Sequence, residues 1–417
     1  MRTILLGICI LFASTIVAQR ECASSAYTEQ QKSIDPTFSN RMNAIEDFIQ
    51  NRSLFTTGTA RMNGTEGSAI IRIPVVVHVI YKSADQNITD AQVKSQIDAL
   101  NRDFRRKNAD TVNTPERFKS LAADIHIEFV LASADPMGRA TTGIVRKQTT
   151  ISEWKMDDNI KFTKNGGDDA WDSRYYLNFW VGNMRSLLGY SSLPGSTADR
   201  DGIVINTTAF GTVNMTGAYN MGRTAVHEVG HWLGLMHIWG DTYCGDDLVS
   251  DTPKQGNFTA GCPSGFRSSC NNGTAGDMYM NYMDFTSDAC MNLFTAGQKD
   301  RMLALFSSGG PRNLILSSKA LNEPWAADAP VVETPSSNLQ FKFYPNPVAG
   351  EMVLNFDHNT SWIGKTISVI NMNGTVLTRI QIGSKTQRIQ LSSLKPGMYF
   401  IQGENQGEKI REKFIKL

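Results

Sequence analysis

The sequence has no dominant charge. Its 41 Lys and Arg residues face 40 Asp and Glu, for a formal net charge of +1. No global field therefore draws it to nucleic acid or anionic lipid, and functions that need a basic surface are set aside. Beyond the first residues there is no apolar run long enough to span a bilayer, so no transmembrane segment is expected. There are no internal repeats, no paired CxxC spacing and no exposed aromatic clusters of the kind that form a sugar platform. Only 6 cysteines occur among 417 residues. Charged residues at 19% and hydrophobic ones at 41% are ordinary for globular domains, and the length allows two or three of them.

The apolar run that does occur is N-terminal. Arg2 gives a positive start, Ile4 to Phe12 is apolar, and Ala13 to Ala18 leads to an Ile16-Val17-Ala18 ending. Residues 1–18 read as a cleavable secretory signal, too short to span a bilayer. Ile8 before Cys9 and Glu21 before Cys22 deny either cysteine a lipid-attachment context. Cys9 leaves with the signal. Cys244, Cys262, Cys270 and Cys290 cluster within 47 residues. In an exported chain they read as two disulfides, with a structural zinc site as the alternative.

Residues 19–61 are polar, with one amphipathic helix expected from Phe38 to Ile49, and form an appendage ahead of the main fold. That fold spans 62–321. Ile71 to Tyr81 (IRIPVVVHVIY) is a β-branched run and hence a buried strand; His78 inside it reads as a packed residue. Thr89 to Gln92 has a capping-box pattern, followed by Val93, Ile97, Leu100 and Phe104 at helical spacing. Further strands are expected at 125–131, 177–181, 187–192 and 202–206, giving an α/β domain. Residues 322–338, with three prolines, read as a linker. Residues 339–417 alternate apolar and polar positions around Asn373-Gly374 and Pro396-Gly397, which predicts a small C-terminal β-sandwich.

The chemistry is concentrated in residues 227–237, HEVGHWLGLMH. His227 and His231 are four apart, so on a helix they share a face and can hold one metal. Imidazole suits Zn²⁺, and a catalytic zinc takes three protein ligands plus an open position. His237 is the third candidate, six residues on, where a continuous helix would not bring it round. Gly234 resolves this by tolerating positive φ, so that the helix ends and the chain returns. Glu228 can take a proton from a water that zinc brings to a pKa of about 7, then pass it to a leaving amine. The expected function is a zinc-dependent endopeptidase acting on proteins or peptides. The competing reading is a weakly active surface adhesin on a zinc-stabilised scaffold; intact ligands and Glu228 argue against it.

The extended HExxHxxGxxH pattern resembles the metzincin clan, and Met283, 46 residues beyond His237, resembles that clan's Met-turn methionine. His237 to Asp241, Asp247 to Pro253, Gly261-Cys262-Pro263, Asn281 to Asp284 and Phe294 to Gln298 are similar to the pappalysin family over roughly residues 70–318. The resemblance implies a metzincin-like α/β (α+β) fold with a twisted mixed sheet and an active-site helix. It implies the disulfides Cys244–Cys270 and Cys262–Cys290. It also implies a calcium site using Asp247, Asp251, Thr252 and the Val249 carbonyl, oxygen donors of the right type. Leu187 to Gly195 resembles the edge strand to which substrate adds by β-augmentation. A basic-residue pocket would use Asp288, with Asp284 as the alternative. Phe285 departs from the family, which usually has Tyr there.

Cys22 is left unpaired if the clustered cysteines pair among themselves. Thiolate is a strong zinc ligand, and Cys22 resembles a metzincin cysteine switch that fills the open position in a latent precursor, with Arg20 lowering its pKa. Activation would be cleavage after Arg52 or Arg61. Residues Phe343 to Pro347, Gly350, Gly374, Leu394 to Tyr399 and the basic end Lys409 to Lys416 resemble a type IX secretion sorting domain. That implies the secretion machinery as a partner and a secreted or cell-surface location.

Overall fold

The structure, a computed structural model, describes residues 22–59, 70–324, 342–356, 362–405 and 408–417. The signal segment, Arg20, Arg61 and most of the proposed linker lie outside these residues. The chain divides into two units, Met1–Ala329 and Pro330–Leu417. Among the described residues no helix is long and apolar enough to cross a membrane.

The first unit is built on β1 (Ile71–Tyr81), buried from Ile73 onward. A strand buried on both faces is what a predominantly β-branched run favours. Its N-terminal half pairs in parallel with β2 (Ile127–Leu131) and its C-terminal half with β3 (Ile144–Gln148). On the other side lie β4 (Leu177–Gly182) and then β6 (Ile203–Asn206), both parallel. The short β5 (Gly189–Ser191) closes the order β2-β1-β4-β6-β5 as an antiparallel edge. The sheet is therefore mixed, as expected. β3 was not expected, because Ile144 is its only fully buried position and charge follows at once.

Helix α3 (Asp90–Phe104) presents Val93, Ile97, Leu100 and Phe104 to the core, and the Thr89 side chain accepts from the Gln92 amide as its N-cap. Buried His78 faces Asp168 Oδ2 at 2.7 Å and Asn178 Oδ1 at 3.1 Å, a packed role. The short α4 (Glu116–Lys119) follows α3. Helix α5 (Arg223–Trp232) is buried at all ten positions, and α6 (Ala296–Ala304) starts from a complete Thr295/Gln298 capping box. Ahead of the sheet come α1 (Ser24–Ile34), which was not expected, and α2 (Phe38–Thr59), which runs ten residues past the expected end at Ile49.

The second unit has two antiparallel sheets: β10-β9-β12-β13 (Val376–Gln381, Thr366–Asn371, Gly397–Asn405, Glu408–Lys416) and β11-β8-β7 (Thr386–Gln390, Glu351–Asn355, Lys342–Tyr344). Trp362, Leu354, Val369, Ile401 and Phe414 form its core. It is a small β-sandwich.

Arg223, the first residue of α5, is fully buried and pairs with Asp103 of α3 at 3.1 Å and Asp110 at 2.6 Å. Removing one partner of a buried ion cluster leaves uncompensated charge. Arg223→Met is expected to destabilise the protein by roughly 3–5 kcal/mol in denaturant unfolding.

Candidate metal centre

Helix α5 carries His227 and His231 one turn apart, and Leu233 and Gly234 end it. Gly234 takes φ +80°, the left-handed turn expected of it, and His237 swings back toward the helix. The three Nε2 atoms meet: His231 lies 3.1 Å from His227 and 3.1 Å from His237. Each Nδ1 is already engaged. His227 donates to the Tyr282 carbonyl at 2.7 Å, His231 to the Leu235 carbonyl at 2.9 Å, and His237 to Asp241 Oδ1 at 2.5 Å. Those partners only accept, so they hold the Nδ1–H tautomer and leave a lone pair on every Nε2. Three lone pairs at van der Waals contact repel unless a cation sits between them. Burial, then the His237 neighbour, lowers the His231 pKa to about 3, which keeps it in the neutral form a metal requires. The donor set fits zinc.

The surroundings fix the rings. Trp239 stacks on His237 at 4.4 Å and Phe285 meets it edge-on at 4.8 Å. Met283 lies beneath the helix so closely that a Cβ on Gly230 would come within 2.4 Å of its Sδ. Ile238 N donates to the Met283 carbonyl at 3.2 Å, tying the turn to the chain that carries His237. Cys244 is bonded to Cys270 and Cys262 to Cys290, the interleaved pattern that the family resemblance implied.

The N-terminal segment enters this centre. Cys22 Sγ lies 3.6 Å from His231 Nε2, and with the three imidazoles it forms a group of ligand atoms all within 4.8 Å. Residues 22 and 189 form a parallel bridge on edge strand β5, where Ala23 N donates to the Gly189 carbonyl at 3.1 Å. Ser24 Oγ donates to Glu228 Oε2 at 2.7 Å while accepting from Ser191 N at 2.9 Å. Burial, then the Glu228 carboxylate, pushes the Cys22 thiol well above its ordinary value. Sequence reasoning missed Ser24 and the orienting Asp241; the second had a signal, a carboxylate four residues beyond His237.

Two of the expected side chains, Asp251 and Asp288, are engaged elsewhere in the structure. Asp251 does not join the proposed calcium donors. Its Oδ1 accepts from Thr295 Oγ1 at 2.6 Å and its Oδ2 from Gly297 N at 2.8 Å, so it caps α6. Only Asp247, Thr252 and the Val249 carbonyl come together, through Thr252 Oγ1 at 2.7–2.9 Å. Burial pushes Asp247 up to about 7. Asp247 Oδ1 and Oδ2, Thr252 Oγ1 and the Val249 carbonyl are four oxygens, of the six to eight, waters included, that calcium takes. Asp288 is fully buried, and its Oδ2 accepts from Met221 N at 2.8 Å and Arg223 N at 3.2 Å. It stabilises the start of α5 rather than offering a carboxylate to substrate. Asp284, the alternative, is buried among Gln255, Thr259 N and Phe285 N.

Residues 161–307 match the family model described as pregnancy-associated plasma protein-A, and residues 342–417 match the secretion system C-terminal sorting domain. An extracellular metalloprotease of Pyricularia oryzae is 31% identical over 276 residues, covering 63% of this chain and 86% of the relative. The chain belongs to the pappalysin family of metallopeptidases. Mature mirolysin of Tannerella forsythia, solved with a cleaved peptide, superposes with a TM-score of 0.60 at 48% identity, covering 62% of this chain and 99% of that one. A promirolysin variant from the same organism gives 0.66 at 44% identity, covering 73% and 99%. This pappalysin relative is thus a secreted zinc metalloendopeptidase made as a zymogen, with a metzincin-type catalytic fold and a type IX sorting domain.

A Cβ at Gly234 would meet nothing nearer than Leu305 Cδ1 at 3.6 Å, so any penalty there is conformational. Gly234→Ala is expected to lose about 1–2 kcal/mol of stability. Strain relieved by moving His237 would weaken zinc retention up to about tenfold in a chelator competition.

Proposed function

We propose that Glu228 is the general base of peptide hydrolysis, that His227, His231 and His237 hold the zinc, and that Cys22 blocks the zinc's open position in the precursor. The observation that carries the reading is the meeting of three Nδ1-engaged imidazoles at 3.1 Å, on the helix that also bears Glu228. Zinc bound there supplies Lewis acidity to the attacking water and to the scissile carbonyl. The chain's own residues do the rest. Glu228 Oε2 takes a proton from the water and returns it to the departing amine. Gly189 offers its backbone carbonyl and Ser191 its amide to an extended peptide along β5. The cleaved peptide seen with mature mirolysin is the substrate class carried over to this chain. Phe285 brings no hydroxyl, so oxyanion stabilisation falls to the metal and to backbone donors.

Latency follows from the same contacts. A sulfur at the fourth position excludes water, the Ser24 hydroxyl occupies the base, and residues 22–24 lie on the substrate edge. On this reading residues 1–18 are a leader, 19–61 the pro-segment, 62–321 the catalytic domain and 339–417 the sorting domain. Arg52, one proposed cleavage point, contacts the Ser308 carbonyl from α2.

Glu228→Gln keeps the fold and the zinc and is expected to lower peptidase activity by at least about a hundredfold; near-normal turnover in the zinc-loaded variant contradicts the assigned role. Cys22→Ala is expected to give a precursor that cleaves a fluorogenic peptide before any processing, where the unaltered precursor is silent. A mutant precursor equally silent removes Cys22 from the inhibitory role.

A further inference from the structure

The reading of Cys22 leaves a second feature of the N-terminal segment unexplained. Lys161 is fully buried, and its neighbour Asp158 nearly so, with Nζ 2.9 Å from Asp158 Oδ1 and 2.7 Å from the Arg200 carbonyl. Buried ion pairs are costly unless every remaining polar site is satisfied. Here three aromatic rings surround the ammonium: Tyr190 at 5.2 Å, Trp180 at 5.4 Å and Tyr27 at 4.9 Å. The first two belong to the sheet. The third comes from α1. Tyr27 is only 1% exposed, its ring stands 4.8 Å from that of Tyr190, and its hydroxyl donates to Asp158 Oδ2 at 2.8 Å. Lys161 Nζ lies 3.3 Å from the same hydroxyl.

The frame of this box is built without α1. Asp158 adopts φ +62°, a left-handed conformation that a residue other than glycine rarely takes. Such strain persists where surrounding structure over-determines it and collects at binding sites. Tyr190 lies between Gly189 and Ser191 on β5, so its side chain points to the opposite face of the edge strand from theirs. Gly189 faces Glu228, with a Cβ there 3.4 Å from Glu228 Cγ. The box therefore adjoins the strand on which peptide backbone pairs, on the face away from the general base. Once α1 departs, the cation keeps two aromatic walls and Asp158 Oδ1 keeps Lys161 and the Tyr190 hydroxyl at 3.4 Å, while Oδ2 loses the Tyr27 hydroxyl and Gln31 Nε2.

We propose that Tyr190, Trp180, Lys161 and Asp158 form a side-chain pocket for a tyrosyl residue carried in the helical turn that follows a segment paired on β5, and that Tyr27 is its first occupant. A planar ring completes the cation–π box, and a phenol hydroxyl supplies the donor that Asp158 requires. Phenylalanine satisfies the first demand only, and an aliphatic side chain satisfies neither.

The pocket rests on the proposed latency at β5 but is separable from the thiolate. The test uses enzyme activated from the full chain and synthetic peptides of residues 22–35 as inhibitors, with Tyr27→Phe and Tyr27→Ala each made in the native and the Cys22→Ser background. The expected result is an inhibition constant raised about threefold by Tyr27→Phe and at least about tenfold by Tyr27→Ala, with the same ratios in both backgrounds. In enzyme carrying Asp158→Asn the Tyr-to-Phe difference should shrink while the Phe-to-Ala difference stays. Inhibition constants that ignore residue 27 in both backgrounds overturn the pocket. Constants that ignore residue 22 but follow residue 27 overturn the thiolate reading and keep the pocket. Should Asp158→Asn fail to fold, the peptide series alone decides.

Discussion

Three imidazole lone pairs directed at one point are the constraint on which the catalytic unit depends. Left alone they repel, so the protein must force them together and a cation must relieve them. Much of what surrounds α5 serves the forcing. The Tyr282 and Leu235 carbonyls and Asp241 hold the three Nδ1–H groups. Gly234 permits the reversal that returns His237, and Gly230 leaves room for Met283. At the far end, Arg223, Asp103, Asp110 and Asp288 anchor the helix start. The two disulfides stitch the loop that runs between His237 and the Met283 turn. Each is a supporting contact of the sort that sets metal affinity and ligand orientation.

The N-terminal segment packs directly onto that arrangement. It brings a sulfur to the three imidazoles, a hydroxyl to Glu228, a backbone pairing to β5 and a phenol to a buried ion pair. Farther along, Glu46 of α2 pairs with Arg301, whose Nε donates to the Gly234 carbonyl at 2.8 Å. One arginine thus joins the N-terminal segment to the turn that delivers the third histidine. Contacts spread over four points let a short segment hold by multivalency what no single contact would.

Legibility in the sequence followed the length and purity of each signal. Ile71 to Tyr81 is one apolar run, and the strand begins and ends where the run does. The meeting of His227, His231 and His237 was legible because spacing of four on a helix, plus a glycine stop, fixes a geometry. Cys22 was reached by counting thiols, and no local pattern announced it. By contrast α1 carries a single large buried apolar side chain, Tyr27, in an otherwise polar stretch; its order comes from packing on β5, which local periodicity does not encode. β3 was hidden by its charged second half. Asp251 and Asp288 misled because a carboxylate that caps a helix and one that binds a cation or a basic side chain look alike in sequence. Only the position of the helix ends, at Ala296 and Arg223, tells them apart.

The central claim is that one zinc sits among His227, His231 and His237 and that Cys22 completes its coordination until the segment is removed. X-ray absorption at the zinc edge, recorded on the purified precursor and again after activation, tests it directly. The account predicts one zinc per chain with three nitrogen neighbours at about 2.0–2.1 Å and one sulfur at about 2.3 Å in the precursor. After activation the sulfur should be replaced by oxygen. Only nitrogen and oxygen scattering in both forms would contradict it.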